Sequence, residues 1–281
     1  MILYSKQIFK LRRSVFLMGD VHGNLRVLSH SVLDKLVPEH SDIICLGDNG
    51  QTKATEWEPS WTSMNKKAAS RDVRVFLIRG NHDEASFYKH ENSLSNIILV
   101  EDGDEFVYRP YFSKHIGIAA GGAVSVDRIT RWANNWYWCK EEQFPACWGL
   151  LPIADFVLSH TGIRPPCIAT GGGGMDLSKL LEQDRDLKSD LEEEQDMYEL
   201  FLRHTEAGKA FYGHFHTSSL FRHEPTNTEC RVLNANELYP LRPWKINWID
   251  KIFIWADVII TEIKNYLHGE VRKHSAGAVQ R

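Results

Sequence analysis

The chain has 281 residues, 43% of them hydrophobic and 25% charged, enough for one large α/β domain with a covered core. A formal net charge of −4 weighs against a broad electrostatic footprint for nucleic acid. Five cysteines (Cys45, Cys139, Cys147, Cys167 and Cys230) are odd in number and contain no C-x-x-C pair, which points to reduced thiols of a cytoplasmic protein. Residues 1–13 place their basic cluster after a brief apolar stretch, the wrong order for a signal peptide.

The first informative stretch is Val15-Phe16-Leu17-Met18-Gly19-Asp20-Val21-His22-Gly23-Asn24, an apolar run that stops at a carboxylate and an imidazole two residues apart. It reads as a buried parallel strand ending in a metal-binding loop, because open α/β sheets put their chemistry beyond the carboxyl ends of their strands. Leu25, Leu28, Val32 and Leu36 then recur at helical spacing up to Pro38. Residues 43–46 form a second apolar run, ending in Gly47-Asp48-Asn49-Gly50. A helix is expected over residues 56–70, with Trp57, Trp61, Met64 and Ala68 on one side, and a strand over 73–78 that ends in Arg79-Gly80-Asn81-His82-Asp83.

Further short strands are expected at Ile97–Val100 and at residues 106–108 and 116–120. Two more buried runs, 156–159 and 210–213, end at His160 and at His214-Phe215-His216. Between them, Gly171 to Gly174 read as a loop rather than a phosphate cradle, since no Gly-Lys-Ser or Gly-Lys-Thr follows. The charged leucine-bearing stretch from Leu180 to Leu200 reads as helical, with Glu192, Glu193 and Glu194 on its solvated face. Residues 246–263 carry Asp250, Lys251 and Asp257, so strands are expected there and not a membrane span. One domain over 1–268 is expected, with 269–281 a disordered tail.

Collected, the strand ends present Asp20, His22, Asp48, Asn81, His82, Asp83, His160, His214 and His216. Imidazoles, carboxylates and one amide oxygen suit two borderline divalent cations, Mn²⁺ foremost, with Fe or Zn²⁺ as alternatives. Asp48 is the natural bridge. His30, His40, His90, His115, His204, His223, His268 and His274 lack the glycine-flanked strand-end setting and are read as surface or structural.

Gly-Asp-Val-His-Gly (19–23), Gly-Asp-Asn-Gly (47–50), Gly-Asn-His-Asp (80–83), Ser-His-Thr-Gly (159–162) and Gly-His-Phe-His (213–216) together resemble the calcineurin-like metallophosphoesterases, in that family's order. The resemblance implies a four-layer α/β/β/α sandwich with a dimetal site at the strand ends. It further implies that Asp20, His22 and His216 bind one metal, that Asn81, His160 and His214 bind the other, and that Asp48 bridges them. His82, oriented by Asp83, would donate to the phosphate or protonate the leaving oxygen. The implied activity is hydrolysis of a phosphate mono- or diester by metal-bound hydroxide.

The chain departs from the protein-phosphatase branch, which continues its second motif into Asp-Arg-Gly and follows Asn-His with Glu. Here Asp48 precedes Asn49-Gly50, and Asp83 follows His82, so a phosphate-binding arginine is missing from its usual place. Arg128 or Arg131, behind Gly121-Gly122 and beside Trp132, Trp136, Tyr137 and Trp138, is the expected substitute for binding substrate. The aromatics would then favour a nucleotide or nucleic-acid diester. A protein Ser/Thr phosphatase and a non-catalytic phosphoesterase-fold binding scaffold are the alternatives.

Overall fold

The computed structural model describes residues 6–110, 113–133, 144, 151–166 and 177–241. The glycine loop at 171–174, most of the Trp-rich segment 132–148, the strands expected over 246–263 and the tail 269–281 lie outside these residues. The described residues up to 109 and from 114 to 241 gather into one compact unit, which holds every element below.

The strands of the described residues are β1 (Ile8–Lys10), β2 (Val15–Met18), β3 (Asp42–Cys45), β4 (Arg74–Ile78), β5 (Ile97–Val100), β6 (Glu105–Tyr108), β7 (His115–Ala120), β8 (Phe156–Ser159), β9 (Lys209–Tyr212), β10 (Ser219–His223), β11 (Thr228–Val232) and β12 (Leu238–Pro240). The helices are a π-type turn sequence at Val27–Leu36, then α1 (Pro59–Ser70), α2 (Arg128–Ala133), α3 (Leu177–Gln183) and α4 (Leu187–Thr205). The first of these keeps the expected helical span but winds wider than an α-helix, with Val37 N–H reaching the Val32 carbonyl at 3.0 Å. Pro59 opens α1, where a missing N–H costs nothing.

One sheet runs β12-β2-β3-β4-β5 and the other β1-β6-β7-β8-β9-β11-β10. In the first, β2, β3, β4 and β5 are parallel, and Met18, Cys45 and Leu77 lie in register across three neighbouring strands. Their carboxyl ends therefore open side by side. In the second, β8 and β9 are likewise parallel neighbours. The edge strand β12 runs antiparallel to β2, so the last described strand closes against one of the first.

Strand alternation explains the layers, since successive side chains leave opposite faces. Met18, Ile43, Cys45, Val75, Leu77 and Leu99 pack with Leu28, Val32, Trp61 and Met64 from the helices. From the opposite face of β4, Phe76 meets Phe9 and Phe106 of the second sheet edge-on, with ring centroids 5.3 and 5.5 Å apart. On that sheet's far side Val157, Ala210, Tyr212 and Val232 cluster with Tyr198, Phe201 and Leu202 of α4. Helix, sheet, sheet and helix thus stack as the four-layer α/β/β/α sandwich.

The leucine-bearing charged stretch is two helices rather than one. The chain turns at Asp184-Arg185-Asp186, and Leu187 and Leu191 bury against Val124. No helix of the described residues is long and apolar enough to cross a membrane.

Candidate metal centre

Asp20 follows β2, Asp48 follows β3 and Asn81 follows β4, whereas His160 follows β8 and His214 and His216 follow β9. Each sheet therefore contributes part of one cluster. Two motif glycines are required by close approach. A Cβ on Gly80 would stand 2.1 Å from Oδ1 of Asp48, and one on Gly213 would stand 2.0 Å from Oδ1 of Asp20. Backbone strain gathers in the same place: His22, Asp48, His214 and His216 all hold positive φ, between 46 and 63°. Non-glycine residues in the left-handed region each cost of order 1–3 kcal/mol and persist only where their surroundings fix them.

Asp20, His22, Asp48 and His216 bring their ligand atoms within 4.8 Å of one another. Nε2 of His22 and Nε2 of His216 face each other at 2.8 Å, and His216 Nε2 lies 3.1 Å from Asp20 Oδ2. A second pair stands on the other side of Asp48. Nδ1 of His160 donates to the Leu46 carbonyl at 2.8 Å, which leaves Nε2 as the bare nitrogen of the neutral ring. That nitrogen faces Asn81 Oδ1 at 2.8 Å. Each contact can be a hydrogen bond whose direction the ring tautomer sets, and each pair also offers two ligand atoms that would converge on a cation between them.

Asp48 spans the two pairs, with Oδ1 3.4 Å from His160 Nε2 and Oδ2 3.7 Å from His22 Nε2. The rings of His160 and His214 are 5.1 Å apart, and His214 N–H donates to the Asp20 carboxylate at 3.0 Å. Asp20 and Asp48 are buried carboxylates at 0 and 2% exposure, which is costly unless cations compensate them. Mixed nitrogen and oxygen donors around two buried carboxylates fit divalent transition-metal cations.

The protonation tendencies follow from this crowding. Burial would depress His160, but the charges of Asp48 and Asp20 outweigh it and raise its pKa. Burial holds His214 well below the ordinary imidazole value, and neighbouring His160 adds to the effect. Burial would raise Asp48, yet His160, His82 and His22 bring it below the usual carboxylate value.

The sequence profile of the calcineurin-like phosphoesterases matches residues 13–218. The chain belongs to that family. Comparison with curated proteins gives no match. Among solved structures, this calcineurin-like chain is similar to the phosphopantetheinyl hydrolase of Mycobacterium tuberculosis at 13% identity, over 86% of this chain and 99% of that one, with a TM-score of 0.47. A cold-active protein-tyrosine phosphatase of a psychrophilic Shewanella species matches at 13% identity over 84% and 77%, with a TM-score of 0.35. Likenesses this distant carry no argument about substrate.

The remaining expected residues of the calcineurin-like site are placed as follows. His82 stands at the rim, 38% exposed, with Nε2 4.0 Å from Asp48 Oδ2 and its backbone N–H donating to Asp48 Oδ1 at 2.9 Å. Asp83 is buried, and its carboxylate accepts from the backbone N–H of Gly80, Asn49, Gly50 and Gln51 at 2.8 to 3.1 Å. It ties the loop after β3 to the loop after β4. Burial and the charge of Asp48 push its pKa up.

Arg128 and Arg131 stand outside the ligand cluster. Arg128 is held between Asp184 and Asp190. Arg131 is buried and donates to Ser125 Oγ at 2.6 Å and to the Asn81 carbonyl at 3.1 Å.

Glu194 corrects the expectation of a solvated acidic face, being 2% exposed. Its carboxylate accepts from Val124 N–H at 2.5 Å and from Thr161 Oγ1 at 3.1 Å, bridging the loops after β7 and β8. Burial pushes its pKa up to about 7. A helical-wheel count from Leu187 and Leu191 could have flagged it, because Glu194 falls on the leucine side three residues past Leu191.

Proposed function

We propose that this chain is a dimetal-dependent phosphoesterase that hydrolyses a phosphate mono- or diester. The observation that carries the reading is Asp48 standing between two pairs of nitrogen and oxygen atoms of metal-ligand type, one on each side of its carboxylate. Asp20, His22 and His216 would hold one metal, and Asn81, His160 and His214 the other, with Asp48 shared. Mn²⁺ is the first candidate. Bound there, two divalent cations supply Lewis acidity, acidifying a water and neutralising charge on the phosphoryl oxygens.

The chain's own residues do the rest. His82, exposed at the rim, reaches the departing oxygen from Nε2 and hydrogen-bonds it or delivers a proton. Asp83 keeps the two ligand-bearing loops at fixed separation by collecting their backbone N–H groups. The buried free thiols of Cys45 and Cys230 support a reducing, cytoplasmic setting.

The experiment is metal analysis joined to turnover of an activated aryl phosphate and its diester. Two bound equivalents, with turnover abolished by a chelator and restored by Mn²⁺, are expected. One equivalent or fewer, with no turnover after Mn²⁺ is added, would overturn the reading in favour of a binding scaffold.

A further inference from the structure

The ligand Asn81 is gripped at both ends of its residue by one buried structure. Its side-chain Nδ2 donates to Ser125 Oγ at 2.8 Å, and its backbone carbonyl accepts from Arg131 at 3.1 Å. Arg131 also donates to Ser125 Oγ at 2.6 Å, so guanidinium, hydroxyl and amide close a ring around the ligand residue. Ser125, Arg131 and Asn81 are 2, 4 and 2% exposed, so water does not compete for these bonds. With Nδ2 engaged by Ser125, the amide presents Oδ1 to His160 and to the cation that would lie between them.

The clasp is itself anchored. On α2, Arg131 lies three residues beyond Arg128, and Arg128 fastens the helix through Asp184 to the segment before α4 and through Asp190 to α4 itself. Glu194 of α4 accepts the N–H of Val124, the residue before Ser125, and the hydroxyl of Thr161, the residue after His160. Both sides of the Asn81–His160 pair are thereby tied to α4.

We propose that Arg131 is a positioning residue for the metal centre: with Ser125 it presets Asn81 Oδ1 towards His160, and it does not bind substrate. This rests on the dimetal reading above. A guanidinium suits the task because it stays charged and its planar fork offers several donors in fixed geometry, which satisfy a hydroxyl and a carbonyl together. Outer partners of metal ligands typically cost 10–100-fold in metal affinity or activity when removed.

The test is calorimetric titration of Mn²⁺ into chelator-stripped wild type, Arg131→Met, Arg131→Lys and Ser125→Ala, followed by steady-state kinetics. Arg131→Met should weaken one of two sites at least tenfold and leave the other unchanged. It should lower kcat with KM within about twofold, the signature of a disturbed centre rather than lost substrate contact. Arg131→Lys should recover part of the affinity, since an amine still reaches one acceptor. Should Arg131→Met fail to fold, Ser125→Ala, which deletes one hydroxyl, should still weaken one site selectively.

Wild-type affinity at both sites in the folded variants overturns the proposal, and a raised KM in Arg131→Met alongside it would make Arg131 a substrate clamp. Binding of one equivalent or fewer by wild type instead overturns the dimetal reading itself, and the proposal with it.

Discussion

At the scale of single residues, Asp48 and His82 sit within 4.0 Å of each other, and the proposed function gives them different duties. Asp48 lies between both donor pairs, so Asp48→Asn removes negative charge from between two cations and should lower occupancy of at least one site. His82 is the exposed neighbour, and His82→Asn should keep metal content near wild type while depressing kcat. The loss should be largest for esters with poor leaving groups, which need a proton, and smaller for an activated aryl phosphate. Metal analysis beside a leaving-group series decides it. Equal metal loss in both variants would make His82 a ligand, and an equal kcat loss across leaving groups would remove its role as acid.

At the scale of elements, α4 does more than cover the second sheet, because Glu194 accepts hydrogen bonds from two strand-end loops. In the fold Glu194 keeps its proton up to about pH 7, against an ordinary value of 4.5. Between those values the folded chain binds a proton that the unfolded chain has released. Stability from this group is therefore full below pH 4.5, falls as pH rises towards 7, and is level beyond it. Denaturant unfolding of metal-free wild type and Glu194→Gln should diverge by on the order of 3 kcal/mol across that window. Parallel pH profiles would show that Glu194 is ionised throughout.

This element also marks the limit of what sequence reveals. Buried parallel strands announce themselves as short apolar runs, and β2, β3, β4, β8 and β9 are visible because each stops at a polar ligand type with a glycine within two residues of it. Glu194 was hidden within three consecutive glutamates. Composition does not distinguish a solvated carboxylate from one that satisfies Val124 N–H inside the fold. Arg128 and Arg131 were legible as cations near the site, but their partners come from residues 184 and 190 and from Asn81 and Ser125, pairings that only tertiary structure brings about. The antiparallel strands β10 and β12, half-buried at sheet edges, carry no continuous apolar run and left no such signal.

At the scale of the whole molecule, the candidate ligands are divided between two sheets, so metal bound as proposed would link the layers as well as equip the site. Stripping the metal should lower Tm, and restoring it at a hundred times its dissociation constant should return about 2.7 kcal/mol for each site. Asp48→Asn, lacking the shared carboxylate, should show a much smaller shift on chelation. A Tm in wild type that ignores chelator, measured by calorimetry with metal content checked, would mean that the folded sheets hold the site without help from any ion.

The distance along the chain between Asp20 and His216 has a consequence for how the protein is made. A ribosome working at roughly 5–20 residues per second takes about 10–40 s to travel from one to the other. β2 also waits for β12, its antiparallel neighbour, before its sheet edge is closed. Throughout that interval the nascent chain displays Asp20, His22 and Asp48 without the imidazoles that complete them, so early capture of a cation is weak. On the dimetal reading, metal would then enter an assembled cage after synthesis has passed His216. Coordination geometry, and not the order in which ions meet a growing chain, then selects which metal stays.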